Sequence, residues 1–176
     1  MRIGIDIDNV IANTFEDLAA RFNQYVGKDL NANEVVDFMR REKFRMWGYW
    51  FVTWRDGLLT RVSLIEGAKH TITSWYDDHE ILLVTSRLPI LNRQTKKWLN
   101  QHEIPYHKLH HSKEREKYKK APNCDVFIED NLEECEILAD YCDRVYLMDH
   151  PWNRRPLKKD NIIRVTSWTD LKEILT

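Results

Sequence analysis

The sequence predicts an α/β fold, a three-layer Rossmann-like parallel sheet with helices on both faces. Three observations carry this expectation. Short apolar runs of strand length alternate along the chain with stretches of helical spacing, the pattern of a parallel sheet wound with crossover helices. One of those runs, ILLVT at 81–85, is apolar throughout, as a strand covered on both faces must be. Residues able to do chemistry stand at or just after the ends of the runs, where ligands of open parallel sheets bind.

The first strand opens the chain. Ile3, Ile5 and Ile7 alternate with Gly4, Asp6 and Asp8, and β-branched residues at period two favour a strand. Positions two apart on a strand point the same way, so Asp6 and Asp8 are expected to project together where the strand yields to a turn at Asn9 and Val10. Two carboxylates held so close repel, and burying both costs on the order of several kcal/mol unless a cation or proton lies between them. A hard divalent cation, Mg²⁺, suits oxygen ligands of this kind and keeps room for a substrate phosphate.

The remaining elements follow in order. Phe15, Leu18, Ala19, Phe22 and Val26 have helical spacing, with Asn13 and Glu16 placed as a cap and Gly27 as the stop. Asn31 and Glu34 suggest a second cap before Val35, Val36, Phe38 and Met39. The segment FRMWGYWFVTW then concentrates Phe44, Trp47, Tyr49, Trp50, Phe51 and Trp54 in eleven residues. Such rings serve either as a small core between helices or as a stacking platform for a flat ligand such as a nucleobase. A helix at 67–76 leads into the strand at 81–85, which ends in Thr85, Ser86 and Arg87. Pro89 opens the next helix, and a weak strand follows at 107–111. A charged helix is expected at 113–121, capped by Ser112, then a strand at 125–129 ending in Glu129, Asp130 and Asn131. A helix at 132–141, strands at 144–148 and 162–165, and a last helix capped by Ser167 and Asp170 complete the chain.

Length and composition narrow the function classes. At 176 residues the chain suits one domain, with room for an inserted subdomain. Its 28 acidic residues nearly cancel 27 basic ones, so no overall field draws it to a nucleic-acid polymer or an anionic membrane. Cys124, Cys135 and Cys142 form neither a C-x-x-C pair nor an even set, which points to free thiols in a reducing cytoplasm. The strand-forming start lacks the basic leader and apolar run of a signal peptide, and no apolar run approaches the roughly 18 residues of a membrane span. His107, His110 and His111 lack acidic or cysteine partners at the spacing of a metal site.

Gathered at one edge of a parallel sheet, these strand-end residues suit phosphoryl transfer. Asp6 offers a nucleophile, Asp8 an acid and base, Thr85 and Ser86 phosphate contacts, and Lys113 a positive charge, with the acids at 129 and 130 available to a metal. IDIDNVIA, LLVTSR and VFIEDN, in this order and nearly spanning the chain, resemble the motifs of the haloacid dehalogenase (HAD) superfamily of phosphatases. Within it the chain is most similar to the 5'(3')-deoxyribonucleotidases and their bacterial and phage relatives, which YLMDHPWN and RVTSWTDLKEIL also resemble.

The resemblance implies a HAD-like core at 1–13 and 67–176, with a small helical cap inserted after the first strand at 14–66. It implies that Asp6 is the nucleophile and that Asp8 is the acid/base, offering its backbone carbonyl to Mg²⁺. Asp6, Asp8 and Asp130 would be the metal ligands, Glu129 would support them from behind, and Thr85 would bind phosphate. Either Lys113 or Lys117 would be the phosphate-binding lysine. Asn9 replaces a common glycine. Phe15, Trp47, Trp50 and Trp54 are the cap residues expected near substrate, with Thr14 where a base-facing phenylalanine is expected. The implied substrate is a small phosphorylated metabolite, a nucleoside monophosphate first and a sugar phosphate as the alternative. A homodimer is compatible with exposed cap aromatics. Outside this class, a non-catalytic phospho-acceptor or binding domain is the rival, but a receiver domain carries its acceptor aspartate on a middle strand; a dinucleotide-binding reading fails because IGIDIDN lacks G-x-G-x-x-G.

Overall fold

The computed structural model describes residues 1–175; the side chains of Ala32, Arg40, Lys43, Phe44, Arg45, Trp47, Trp50, Ile174 and Leu175 lie outside the described residues. Six parallel strands form one sheet: β1 (Arg2–Ile5), β2 (Glu80–Thr85), β3 (Lys108–His111), β4 (Val126–Glu129), β5 (Arg144–Met148) and β6 (Ile162–Val165). Their spatial order is β3-β2-β1-β4-β5-β6, so the direction of winding reverses at β1. That reversal places the carboxyl ends of β1, β2 and β4 around one crevice.

Period-two alternation divides the core into two layers. Ile3, Ile5, Ile81, Leu83, Val126, Ile128, Tyr146 and Met148 point into one, against Ile72 and Trp75 of α4 (Ala68–Trp75), Trp98 and Leu99 of α5 (Asn92–Gln101), and Trp168 and Leu171 of α8 (Trp168–Leu175). Leu82, Val84, Phe127, Val145 and Leu147 point into the other, against Leu132, Cys135 and Leu138 of α7 (Leu132–Leu138). All three cysteines are free thiols, buried in that second layer.

Between β1 and β2 the chain builds α1 (Thr14–Val26), α2 (Ala32–Arg41) and α3 (Lys43–Arg55). These helices share a small apolar cluster of Phe22, Val26, Val35, Met46 and Tyr49. The insert leaves and re-enters the sheet layer side by side: Asn13 N–H donates to Ser63 O at 2.9 Å and Ile65 N–H to Ile11 O at 2.8 Å. The Asn31 capping box forms as the sequence predicts, and Gly27 ends α1 in the left-handed conformation. Asn13 behaves differently. Its side chain bonds Glu16 rather than the helix backbone.

The charged segment 113–121 is also shorter as a helix than its composition suggests. Only Lys117–Lys120 is helical (α6), because Arg115 takes a left-handed φ of 64° and breaks the segment ahead of it. No helix among the described residues is long and apolar enough to cross a membrane.

Gly4 shows how tightly the second layer is packed. A Cβ there would run into the ring of Phe127 on the neighbouring strand. Because Phe127 is itself fully buried, it has little room to yield. Gly4→Ala is expected to destabilise the protein by about 1–3 kcal/mol, read from urea unfolding midpoints, as overpacking does elsewhere.

Candidate active site

Three carboxylates meet where β1 and β4 end. Asp6, Glu129 and Asp130 are all buried, and each offers an oxygen within 4.8 Å of the others. Lys117 enters from α6 with its side chain 3% exposed, its Nζ 2.7 Å from Asp6 Oδ1 and 2.6 Å from Glu129 Oε2. The lysine is held there from behind by Glu134 of α7, which accepts the backbone N–H groups of Arg115 at 2.6 Å and Lys117 at 3.4 Å. Lys113 is exposed at the surface. Of the two candidate lysines, the structure brings Lys117 into the cluster and leaves Lys113 outside it.

The electrostatics follow from burial and crowding. Burial, with the charges of Glu129 and Asp8 adding and Lys117 opposing, pushes the Asp6 carboxyl up to about 8. Burial raises Glu129 to about 7, with Asp130 adding and Lys117 opposing. Asp130 is likewise raised to about 7 by burial and by Asp6, against Lys117 and the donors Asn9 and Trp152. Burial alone would lower the Lys117 pKa, but Asp6 and Glu129 outweigh it and hold the ammonium above its ordinary value. When all three carboxylates are ionised against one ammonium, two negative charges remain uncompensated. That is the charge of one divalent cation, and an all-oxygen donor set suits a hard one.

Asp8 does not share the cluster. β1 ends at Ile5 and the chain turns through Asn9, whose left-handed φ of 59° is tolerated by asparagine much as by glycine. The two aspartates take different partners, Lys117 for Asp6 and Arg87 for Asp8. The carboxylate of Asp8 is gripped by Arg87, with Nη2 2.7 Å from Oδ1 and Nε 2.9 Å from Oδ2, and the Thr14 hydroxyl donates to Oδ1 at 2.5 Å. Burial pushes the Asp8 pKa up, but Arg87, then Thr14 and Lys117, outweigh it, so the net shift is downward. Arg87 is buried and is itself braced by His111, whose Nδ1–H donates to the Arg87 carbonyl at 2.8 Å.

The other predicted residues divide. Thr85 is fully buried at the end of β2, its hydroxyl accepting the Arg87 N–H at 3.1 Å, while Ser86 is exposed beside it. Phe15 packs against Trp152 with ring centroids 4.8 Å apart. Trp54 is half-buried and lies 5.6 Å from the Phe51 ring, and its carbonyl accepts a bond from Gln94. The side chains of Trp47 and Trp50 lie outside the described residues.

Arg87, Glu134, His150 and Trp152 enter the site without having been singled out from the sequence. Arg87 and Trp152 each follow a strand's carboxyl end, so the rule that located Asp6 and Asp130 also covers them. Glu134, inside a helix, carries no such signal. Asn153, Arg154 and Arg155, which follow β5, make contacts outside the cluster of Asp6, Glu129 and Lys117. Asn153 bonds the carbonyls of Asp130 and Met148, while the arginines pair with Asp149 and Glu133.

Over residues 1–176 the sequence matches the family described as 5' nucleotidase, deoxy (pyrimidine), cytosolic type C protein. The chain belongs to this family. A nucleotidase of Clostridium acetobutylicum is 29% identical over 192 residues, covering 99% of this chain and 93% of its own length. Among solved structures, a haloacid dehalogenase-like family hydrolase of Streptococcus pneumoniae superposes with a TM-score of 0.70 at 9% identity, covering 99% of this chain and 98% of that one. CbbY of Rhodobacter sphaeroides, solved with phosphate, gives a TM-score of 0.61 at 16% identity, covering 97% and 95%. The HAD superfamily assignment and the α/β fold expected from the motifs hold, and this member of the family is a phosphomonoester hydrolase.

The raised carboxyls set the sign of a pH effect. Asp6, Glu129 and Asp130 bind protons in the folded state at pH values where the unfolded chain has released them, so their contribution to stability falls as pH rises from about 4 to about 8. A divalent cation competes with those protons. The rise in Tm on adding Mg²⁺, measured calorimetrically against a chelator control, should therefore be larger at pH 8 than at pH 5.5, and Asp130→Asn should shrink the difference. An equal or reversed response would contradict the charge balance described above.

Proposed function

We propose that the chain is a Mg²⁺-dependent phosphatase of nucleoside monophosphates that works through an aspartyl-phosphate on Asp6. The observation that carries the reading is the partition of charge. Asp6 shares a cationic partner with Glu129, while Asp8 is held apart by Arg87. Two neighbouring carboxylates in different environments are suited to different roles.

In the first half of the reaction an oxygen of Asp6 attacks phosphorus and the bond to the leaving oxygen breaks, that oxygen taking a proton from Asp8. The incoming phosphate dianion favours a proton on Asp8 before this step. In the second half a water attacks the phosphoryl group and gives its proton to Asp8; the Asp6–phosphorus bond breaks and inorganic phosphate leaves. Arg87 favours the carboxylate form of Asp8 that this half uses, and Lys117 offsets the repulsion between Asp6 and the substrate. Mg²⁺, when bound, neutralises phosphate charge and helps align the group for in-line attack. Asp6 and Asp130 are the side chains that would hold it, with the backbone carbonyl of Asp8. Glu129 already accepts Lys117 on one oxygen and the Asn131 N–H on the other, at 2.6 and 3.2 Å, so it supports the ligands from behind.

Residues 14–66 act in this reading as a cap that selects the substrate, with Phe15 and Trp54 among the rings near the core. The family supports a nucleotide substrate.

Phosphate release should be measured with Mg²⁺ across nucleoside and deoxynucleoside monophosphates, sugar phosphates and an aryl phosphate. A preference for one nucleotide is expected, with kcat reduced at least about a thousandfold in Asp6→Asn, as for other nucleophile deletions. Turnover of sugar phosphates alone would overturn the substrate and keep the chemistry. Arg87→Lys keeps the charge but loses the two-pronged grip on Asp8. It is expected to lower kcat about tenfold or more while KM changes little, as steady-state kinetics would show.

A further inference from the structure

The loop after β5 closes a ring of contacts around Asp130. Asn9 Nδ2 donates to Asp130 Oδ2 at 3.2 Å, and the indole Nε1–H of Trp152 donates to the same oxygen at 3.2 Å. Trp152 stacks on His150 with centroids 4.4 Å apart and planes 4° from parallel. His150 Nε2–H donates to the Asn9 carbonyl at 2.8 Å, which returns to the start of the ring. Phe15 packs on Trp152 as well, and its own N–H donates to Asn9 Oδ1 at 2.8 Å. Asp130 Oδ1, by contrast, receives no hydrogen bond from any described residue.

We infer that Trp152 is a positioning residue for the metal ligand Asp130: with Asn9 it ties down one carboxylate oxygen and leaves the other free for the cation. The inference rests on the metal reading above. Two N–H donors on one oxygen fix the rotation of the carboxylate, so the ligand is oriented before the ion arrives. The donor also removes a competing outcome. An unrestrained buried carboxylate could turn both oxygens toward Lys117, whereas two N–H donors on one oxygen hold it in a single orientation. The indole is well suited to this task because its N–H is a donor only and its ring is clamped between neighbours. The Phe15 contact extends the same ring of interactions to the first turn of α1, so the cap and the metal ligand share a support.

Isothermal titration of Mg²⁺ into parent, Trp152→Phe and Asp130→Asn proteins tests this without reference to turnover. Phenylalanine keeps the stacked ring and removes only the N–H. Trp152→Phe is expected to weaken Mg²⁺ binding about tenfold, the lower end of losses seen when groups that orient metal ligands are removed, while far-UV circular dichroism and metal-free Tm stay close to those of the parent. Binding within twofold of the parent in a folded Trp152→Phe protein would overturn the positioning role alone. If the parent bound no Mg²⁺, or Asp130→Asn bound it unchanged, the metal reading would fall and this inference with it. Should Trp152→Phe not fold, Asn9→Gly carries the same test, since it keeps the left-handed turn and removes the other donor, and the same loss is expected.

Discussion

Lys117 carries an ammonium into the protein interior to reach Asp6 and Glu129, and much of the site is arranged to support it. A buried ion pair gains little unless its geometry is good and its remaining polar atoms are satisfied. Glu134 meets part of that requirement by holding the backbone at Arg115 and Lys117, and the Asn131 side chain in turn caps Glu134. The short helix α6 has only one turn and could not place a lysine by its own stability. Its position comes from these contacts and from the β4 to α7 connection that supplies them. The same connection carries Glu129 and Asp130, so lysine and acids are located by one piece of chain.

The second cation serves a different purpose. Arg87 faces Asp8 with a planar fork and is fixed by Thr85, Thr95 and His111, on the β2 and β3 side of the crevice. A single cation between both aspartates would have given them similar environments. Two separate cations let the aspartates differ in protonation although only Ile7 separates them. Arg87 follows β2, and Lys117 comes from α6 in the crossover between β3 and β4.

Most of the fold was legible because burial imposes simple periods. The alternation in β1, the continuous apolar run of β2 and the acid-terminated β4 follow from a sheet covered on both faces, and the motifs at their ends fixed the family. What failed depended on single backbone angles. The segment holding Lys113 and Lys117 reads as one charged helix, and nothing in its composition announces the left-handed Arg115 that sends one lysine inward and leaves the other in solvent. Glu134 and Trp152 were hidden for another reason. Their roles are contacts with residues 17 or more positions away, such as Lys117 and Asp130, and local pattern carries no trace of those partners.

The aromatic wealth of the insert is where composition alone misleads most. Phe22 meets Tyr49 and Phe38 edge-on, with centroids 5.1 and 5.7 Å apart, and Tyr25 lies 5.5 Å from Tyr49. These rings hold α1, α2 and α3 together, as a segment too small for a large aliphatic core requires. A ring committed to that cluster cannot also present its face to a base. Among the described aromatics the insert is left with Phe15, Phe51 and Trp54, and only Phe15 is joined by contacts to the carboxylate cluster, through Asn9 and Trp152. Among the described aromatics, contacts therefore link the carboxylate cluster to the first turn of α1 and the loop after β5.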